Sequence, residues 1–213
     1  MMDFKIETFL GMLARYNQDV WPLQIGAYLL AILALVIAFK PFKYSSKIIT
    51  AVLSLFWFWT GIVFGLFYWG PSYTPAYIFS VLLIIQGILF LFSGVLKAKL
   101  SFQFKLNPYS VLGMIIILYG LAGYQVFGYF IGHRYPDFFA PGLVPCPTNV
   151  FTVGLLLWTD KKIPKRLLII PFLWSLSGFM PVSKGILEDI GMILFGISGV
   201  LLLFMRDRKS SNG

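Results

Sequence analysis

One cysteine, one histidine and a charged fraction of only 12% are what this 213-residue chain has least of, and each scarcity excludes something. A single Cys rules out an intrachain disulfide and any CxxC centre. A single His excludes a site built on several imidazoles, such as a multi-histidine zinc hydrolase of the seven-helix ceramidase type. No Lys stands in the middle of the last apolar run, so a retinal Schiff base is excluded, and GxSxG, HExxH and P-loop patterns are absent. No internal repeat points to an inverted-repeat transporter. Residues ahead of the first apolar run are mixed in charge (Asp3, Lys5, Glu7, Arg15, Asp19), unlike the basic start of a cleavable signal peptide. No cofactor is expected and no metal site is assigned, Cys146 and His133 being weak ligand candidates.

What is abundant is oil. Hydrophobic residues make up 59% of the chain and aromatics 18%, with a mean hydropathy of +0.84, whereas a soluble domain has about a quarter of its residues charged. The net charge of +9 comes from short Lys/Arg clusters between apolar runs, which is a positive-inside pattern and not a nucleic-acid face. The expected fold is therefore an all-α polytopic membrane bundle forming one integral domain over residues 1–213, with the lipid bilayer as its partner and its oligomeric state open.

Residues 4–20 set Phe9, Leu10, Leu13, Tyr16 and Val20 at helical spacing, which predicts an amphipathic helix lying on the membrane surface. Seven spans follow, at about 21–39, 48–69, 75–96, 111–132, 148–159, 167–182 and 186–205. Gly61 and Gly65 form a GxxxG packing face, Pro171 predicts a kink, and Gln86 and Gln125 are intramembrane polar groups, Gln86 reading as an interhelical hydrogen bond. Basic clusters follow spans one, three, five and seven, while the other loops carry little charge. The positive-inside rule then puts the N-terminus outside and the C-terminus in the cytoplasm of a bacterial inner membrane.

The fifth run is too short to span from a surface loop, which predicts that residues 133–147 fold inward as a re-entrant cap over an outward-facing polar bowl. Rare chemistry gathers there: His133, Tyr135, Asp137, Cys146 and Thr148, with Glu188 and Asp189 on the same face. Pro147 suits a first helical position, which makes Cys146 an N-cap where the helix dipole favours a thiolate. A small apolar cap packed among prolines explains Cys146 equally well. His133 can cap carbonyls or pair with a carboxylate. Adjacent on a helix, Glu188 and Asp189 point about 100° apart and cannot share one partner. Below the interface Glu188 needs a cation, from Lys184, His133 or Arg134.

These motifs resemble a bacterial family of integral membrane proteins of unknown function. The pattern comprises Tyr16-Asn17 with Trp21-Pro22 and Gln24, Trp57-x-Trp59-x-Gly61, Gln86, Leu100-Ser101-Phe102, Gly132-His133-x-Tyr135-Pro136, Pro145-Cys146-Pro147-Thr148-x-x-Phe151-Thr152 and Glu188-Asp189. The P-C-P-T element is its most specific part. At Phe64-Gly65, similar proteins carry Tyr-His, so this chain lacks a second imidazole. The resemblance brings no activity, substrate or cofactor. The expected role is binding or moving a small molecule or ion through the bowl. Alternatives are a membrane enzyme using Cys146 as nucleophile with His133 as base, or a structural or assembly subunit, favoured if aromatics fill the bowl.

Overall fold

The computed structural model describes residues 5–209; residue 4 of the expected surface helix and residues 210–213 of the basic tail lie outside them. The described chain is all-helical, and its sole β pairing is an isolated antiparallel bridge between Phe102 and Thr159. Its helices are α1 (Ile6–Asp19), α2 (Leu23–Phe39), α3 (Ser45–Ser72), α4 (Ala76–Leu96), α5 (Pro108–Ile131), α6 (Pro145–Leu156), α7 (Arg166–Ser183) and α8 (Asp189–Lys209). Five of them, α3, α4, α5, α7 and α8, are long and apolar enough to cross a membrane. The helices α1 and α2, bent by 84° at their junction, make a sixth only if counted together.

Seven spans are thus not what length and composition support. The shortfall lies chiefly in α6, whose 12 residues reach about 18 Å at 1.5 Å per residue, well under a hydrocarbon core of roughly 30 Å. The helix is instead the centre of the bundle, packed against α3, α5, α7 and α8, with every residue but Cys146 buried. Its polar side chains are used inside: Trp57 donates to Thr152 Oγ1 at 3.0 Å and Asn149 donates to Ser175 Oγ at 2.8 Å. Close approach to α5 requires glycine on both helices. A Cβ on Gly113 would stand 2.7 Å from the Gly154 carbonyl, and one on Gly154 2.9 Å from the Gly113 carbonyl.

Three helices carry π-helical turns, Thr60–Trp69 in α3, Leu91–Leu96 in α4 and Tyr119–Gly123 in α5. Their hydrogen bonds run from residue i+5 to i, as from the Gly70 N–H to the Gly65 carbonyl and from Tyr124 to Tyr119. Side chains five apart, about 140° apart on an α-helix, are brought to one face by such a turn. The tyrosines at 119 and 124 meet edge to face at 5.2 Å, and Phe64 lies 6.1 Å from Trp69.

The loops sort by charge. Those carrying basic clusters gather at one end, where Phe104 donates to the Ala38 carbonyl, Lys105 pairs with Asp160 at 3.7 Å and Arg206 donates to the Thr159 carbonyl. At the other end lie α1, residues 133–144 and the start of α8. Large apolar side chains such as Leu29, Phe67, Ile78 and Phe130 stand exposed on the outer faces, a surface suited to hydrocarbon.

Candidate functional site

Glu188 and Asp189 sit at the head of α8, fully buried and on divergent bearings. Glu188 Oε1 lies 2.6 Å from His133 Nδ1, so of its three candidate partners the histidine is the one it meets. Asp189 receives the Tyr124 hydroxyl on Oδ1 at 2.9 Å and the Cys146 thiol on Oδ2 at 3.5 Å. The Tyr119 hydroxyl donates to the Glu188 backbone carbonyl at 2.7 Å. The π turn in α5 therefore places two tyrosines side by side, each gripping one of two adjacent acidic residues. No local signal in the sequence marks these tyrosines, because their partners stand 65 or more positions away.

Residues 133–144 fold inward over this head. Phe139, Ala140, Leu143 and Val144 are buried, and the backbone groups that depth would orphan are met by side chains. Tyr16 donates to the Leu143 carbonyl at 2.9 Å, Asn17 to the carbonyls of Pro136 and Phe138 at 2.6 and 2.8 Å, and Gln125 to that of Phe139. Thr148 Oγ1 accepts from the Gly142 N–H at 2.8 Å and donates to the Val144 carbonyl at 2.6 Å, tying the segment to the helix it feeds. Gln86 lies elsewhere, donating to the Leu167 carbonyl at 3.0 Å.

Cys146 is not an N-cap. Val144 holds that place with extended backbone, φ −119° and ψ 139°, and α6 starts at Pro145. The first turn has no use for its N–H groups, so it accepts both prolines, and the thiol falls at the second helical position.

A cavity of about 50 Å³ borders Cys146 and Asp189. Its wall is aromatic where a polar bowl was expected. Phe9 from α1, Phe64 and Trp69 from α3, Phe79 from α4, Phe139 from the inward segment and Trp174 from α7 all line it. Trp69 and Phe79 stack at 5.7 Å with an 11° interplanar angle, and Trp174 stands near perpendicular to both, at 82° and 87°. The polar groups of the head are turned toward one another, which leaves ring carbon to form the rest of the wall. The indole N–H groups of Trp69 and Trp174 are buried without a hydrogen-bond partner among the described residues, as is Glu188 Oε2.

A model of a family of unknown function, DUF6064, matches residues 6–213. The chain belongs to that family. No curated protein and no solved structure matches it. In this DUF6064 chain the candidate residues divide into two groups. Cys146, His133, Glu188 and Asp189 converge, the thiol and the imidazole each bound to a different carboxylate. Tyr135 is exposed and meets Trp21 edge to face at 6.4 Å. Asp137 is half-buried, with its backbone N–H donating to the Arg134 carbonyl at 2.6 Å, and neither residue lines the cavity. Among the described residues no group of three or more His, Cys, Asp or Glu side chains is placed to hold a metal ion.

Proposed function

We propose that this protein is a multi-pass membrane protein that binds a small molecule or ion in the aromatic cavity beside Asp189 and Cys146. In this reading the bundle crosses a bacterial inner membrane with its N-terminus outside. Counting α2 and the central α6 with the five long helices gives the seven-helix arrangement. The inward segment 133–144 is then an outer-face cap, because it lies at the end away from the basic loops. The observation that carries the proposal is an apolar space with a buried carboxylate, a thiol and two indole side chains in its wall, the indole N–H groups having no hydrogen-bond partner among the described residues. Apolar pockets with a few convergent polar groups are the usual form of a ligand site.

A second reading, a structural or assembly subunit, is favoured by the aromatic wall itself, since stacked rings from α3, α4 and α7 also serve as packing. The enzyme reading gains nothing from the geometry. A Cys146–His133 dyad needs a hydrogen bond between them, and both groups are engaged by carboxylates.

A compound screen read by thermal shift separates the two readings. Under the ligand reading, some compounds stabilise the wild-type protein and lose that effect in Ser177→Leu, which adds carbon at the cavity wall. A screen in which no compound distinguishes the two proteins overturns it.

A further inference from the structure

Resting on the ligand-binding reading above, we infer that the cavity takes a small organic ammonium ion carrying an oxygen acceptor. The first reason is charge. Asp189 is 1% exposed at the head of a helix apolar enough to cross a membrane, and among the described residues no Lys, Arg or His is ion-paired with it. A carboxyl removed from water either takes up a proton or needs a compensating cation as well as hydrogen bonds, and here the protein supplies only a phenol and a thiol. The neighbouring acid shows the contrast, because Glu188 has a basic partner built in, His133 Nδ1 at 2.6 Å from its Oε1.

The second reason is the wall. An ammonium group desolvated among aromatic rings is held by their quadrupoles, and Trp is the best of them. Trp174 stands nearly perpendicular to the stacked Trp69–Phe79 pair, so a cation in the cavity meets rings in two orientations. A hydrated metal ion gains little from such a wall, which offers one carboxylate where hard cations take six or more oxygen ligands.

The third reason is the pair of indole N–H groups, both on side chains more than nine-tenths buried and neither in a formed hydrogen bond among the described residues, with the Cys146 sulfur beside that of Trp174. A ligand oxygen satisfies one or both after a small shift. Size sets the limit: about 50 Å³ is the space of roughly four waters at about 10–15 Å³ each, which suits an amino alcohol of about four heavy atoms. Free amino alcohols and the ethanolamine headgroup of a phospholipid share this chemistry.

The test uses the full chain in phosphatidylglycerol nanodiscs, titrated with ethanolamine and with 1-propanol, its neutral isostere, and read by Trp fluorescence and thermal shift. Ethanolamine is expected to bind about tenfold or more tightly than 1-propanol, the value of one charge-assisted contact. Asp189→Asn should abolish the preference, and Trp174→Phe should weaken ethanolamine binding and remove most of the fluorescence response. Equal affinity for the two compounds overturns the inference, a comparison on wild-type protein that stands even if Asp189→Asn fails to fold. Absence of ethanolamine binding overturns it too, and the Ser177→Leu screen then decides separately whether the ligand-binding reading falls. Competition by phosphatidylethanolamine in the disc assigns the ammonium to a lipid headgroup, and lack of competition assigns it to a soluble amine; either result supports the inference.

Discussion

Gln86 in α4 donates its side-chain amide to the Leu167 carbonyl of α7 at 3.0 Å, the carbonyl that Pro171, four residues on, cannot serve. Proline has no N–H and so leaves the i−4 acceptor of its helix unpaired. A polar residue in the middle of an apolar run and a proline inside another helix are thus two halves of one device. Each alone would be a defect in hydrocarbon.

Gln86→Leu should therefore cost about 1–3 kcal/mol of stability, the penalty for an orphaned buried carbonyl. Much of that loss should return in the Gln86→Leu/Pro171→Ala double variant, which restores the helical N–H. Unfolding in detergent by each single and double variant measures the coupling. Strictly additive effects would sink the account.

His133→Ala strands Glu188, whose Oε2 already lacks a partner among the described residues. Breaking a buried pair by removing one side costs about 3–5 kcal/mol, whereas replacing both sides by apolar groups is often neutral. His133→Ala should be strongly destabilising and His133→Ala/Glu188→Leu much less so, as judged by thermal unfolding. A single variant as stable as wild type would show that the pair contributes nothing.

The Gly113–Gly154 crossing gives a steric prediction. Each added Cβ would meet the opposing carbonyl under 3.0 Å, and backbone cannot yield as a side-chain end can. Gly154→Ala should lower stability by about 1–3 kcal/mol, the usual cost of overpacking, and Gly154→Ala with Gly113→Ala by more. By contrast Gly11→Ala, with nothing within 4 Å of its Cβ and sitting in α1, should be neutral or slightly stabilising. Melting temperatures of the three variants provide the check.

Orientation is open to a labelling experiment. In a Cys146→Ser background, Arg208→Cys places one thiol at the basic end of α8. An impermeant maleimide should label it in inverted membrane vesicles and not in intact spheroplasts. The reverse pattern would put the basic loops outside and invert the topology.

How much of this was legible in the chain follows from what leaves a local trace. Five of the seven expected spans, the helix α1 and membership of the family could be read directly, because apolar run length and helical periodicity are properties of contiguous residues. That Glu188 needs a partner was also readable; which of Lys184, His133 and Arg134 supplies it depends on how residues 133–144 fold in. The start of α6 was misplaced by two residues because Pro145 and Pro147 both suit a first turn. The aromatic cavity was invisible, since its walls come from separate elements spanning Phe9 to Trp174 and a uniformly apolar helix has no period to say which ring faces inward. The π turns were hidden for the same reason.

Those turns separate the facing of a helix from its length. Within Thr60–Trp69 the helix carries a phase offset, so the half of α3 that holds Ser54 against α4 and the half that holds Trp69 over the cavity are set at independent angles on one rod. Removing a single residue between them would let the rod close as a plain α-helix with both halves facing as they do now, because side chains five apart would become four apart and still share a face. The same deletion in a plain α-helical stretch has no such slack and would swing everything beyond it by about 100°.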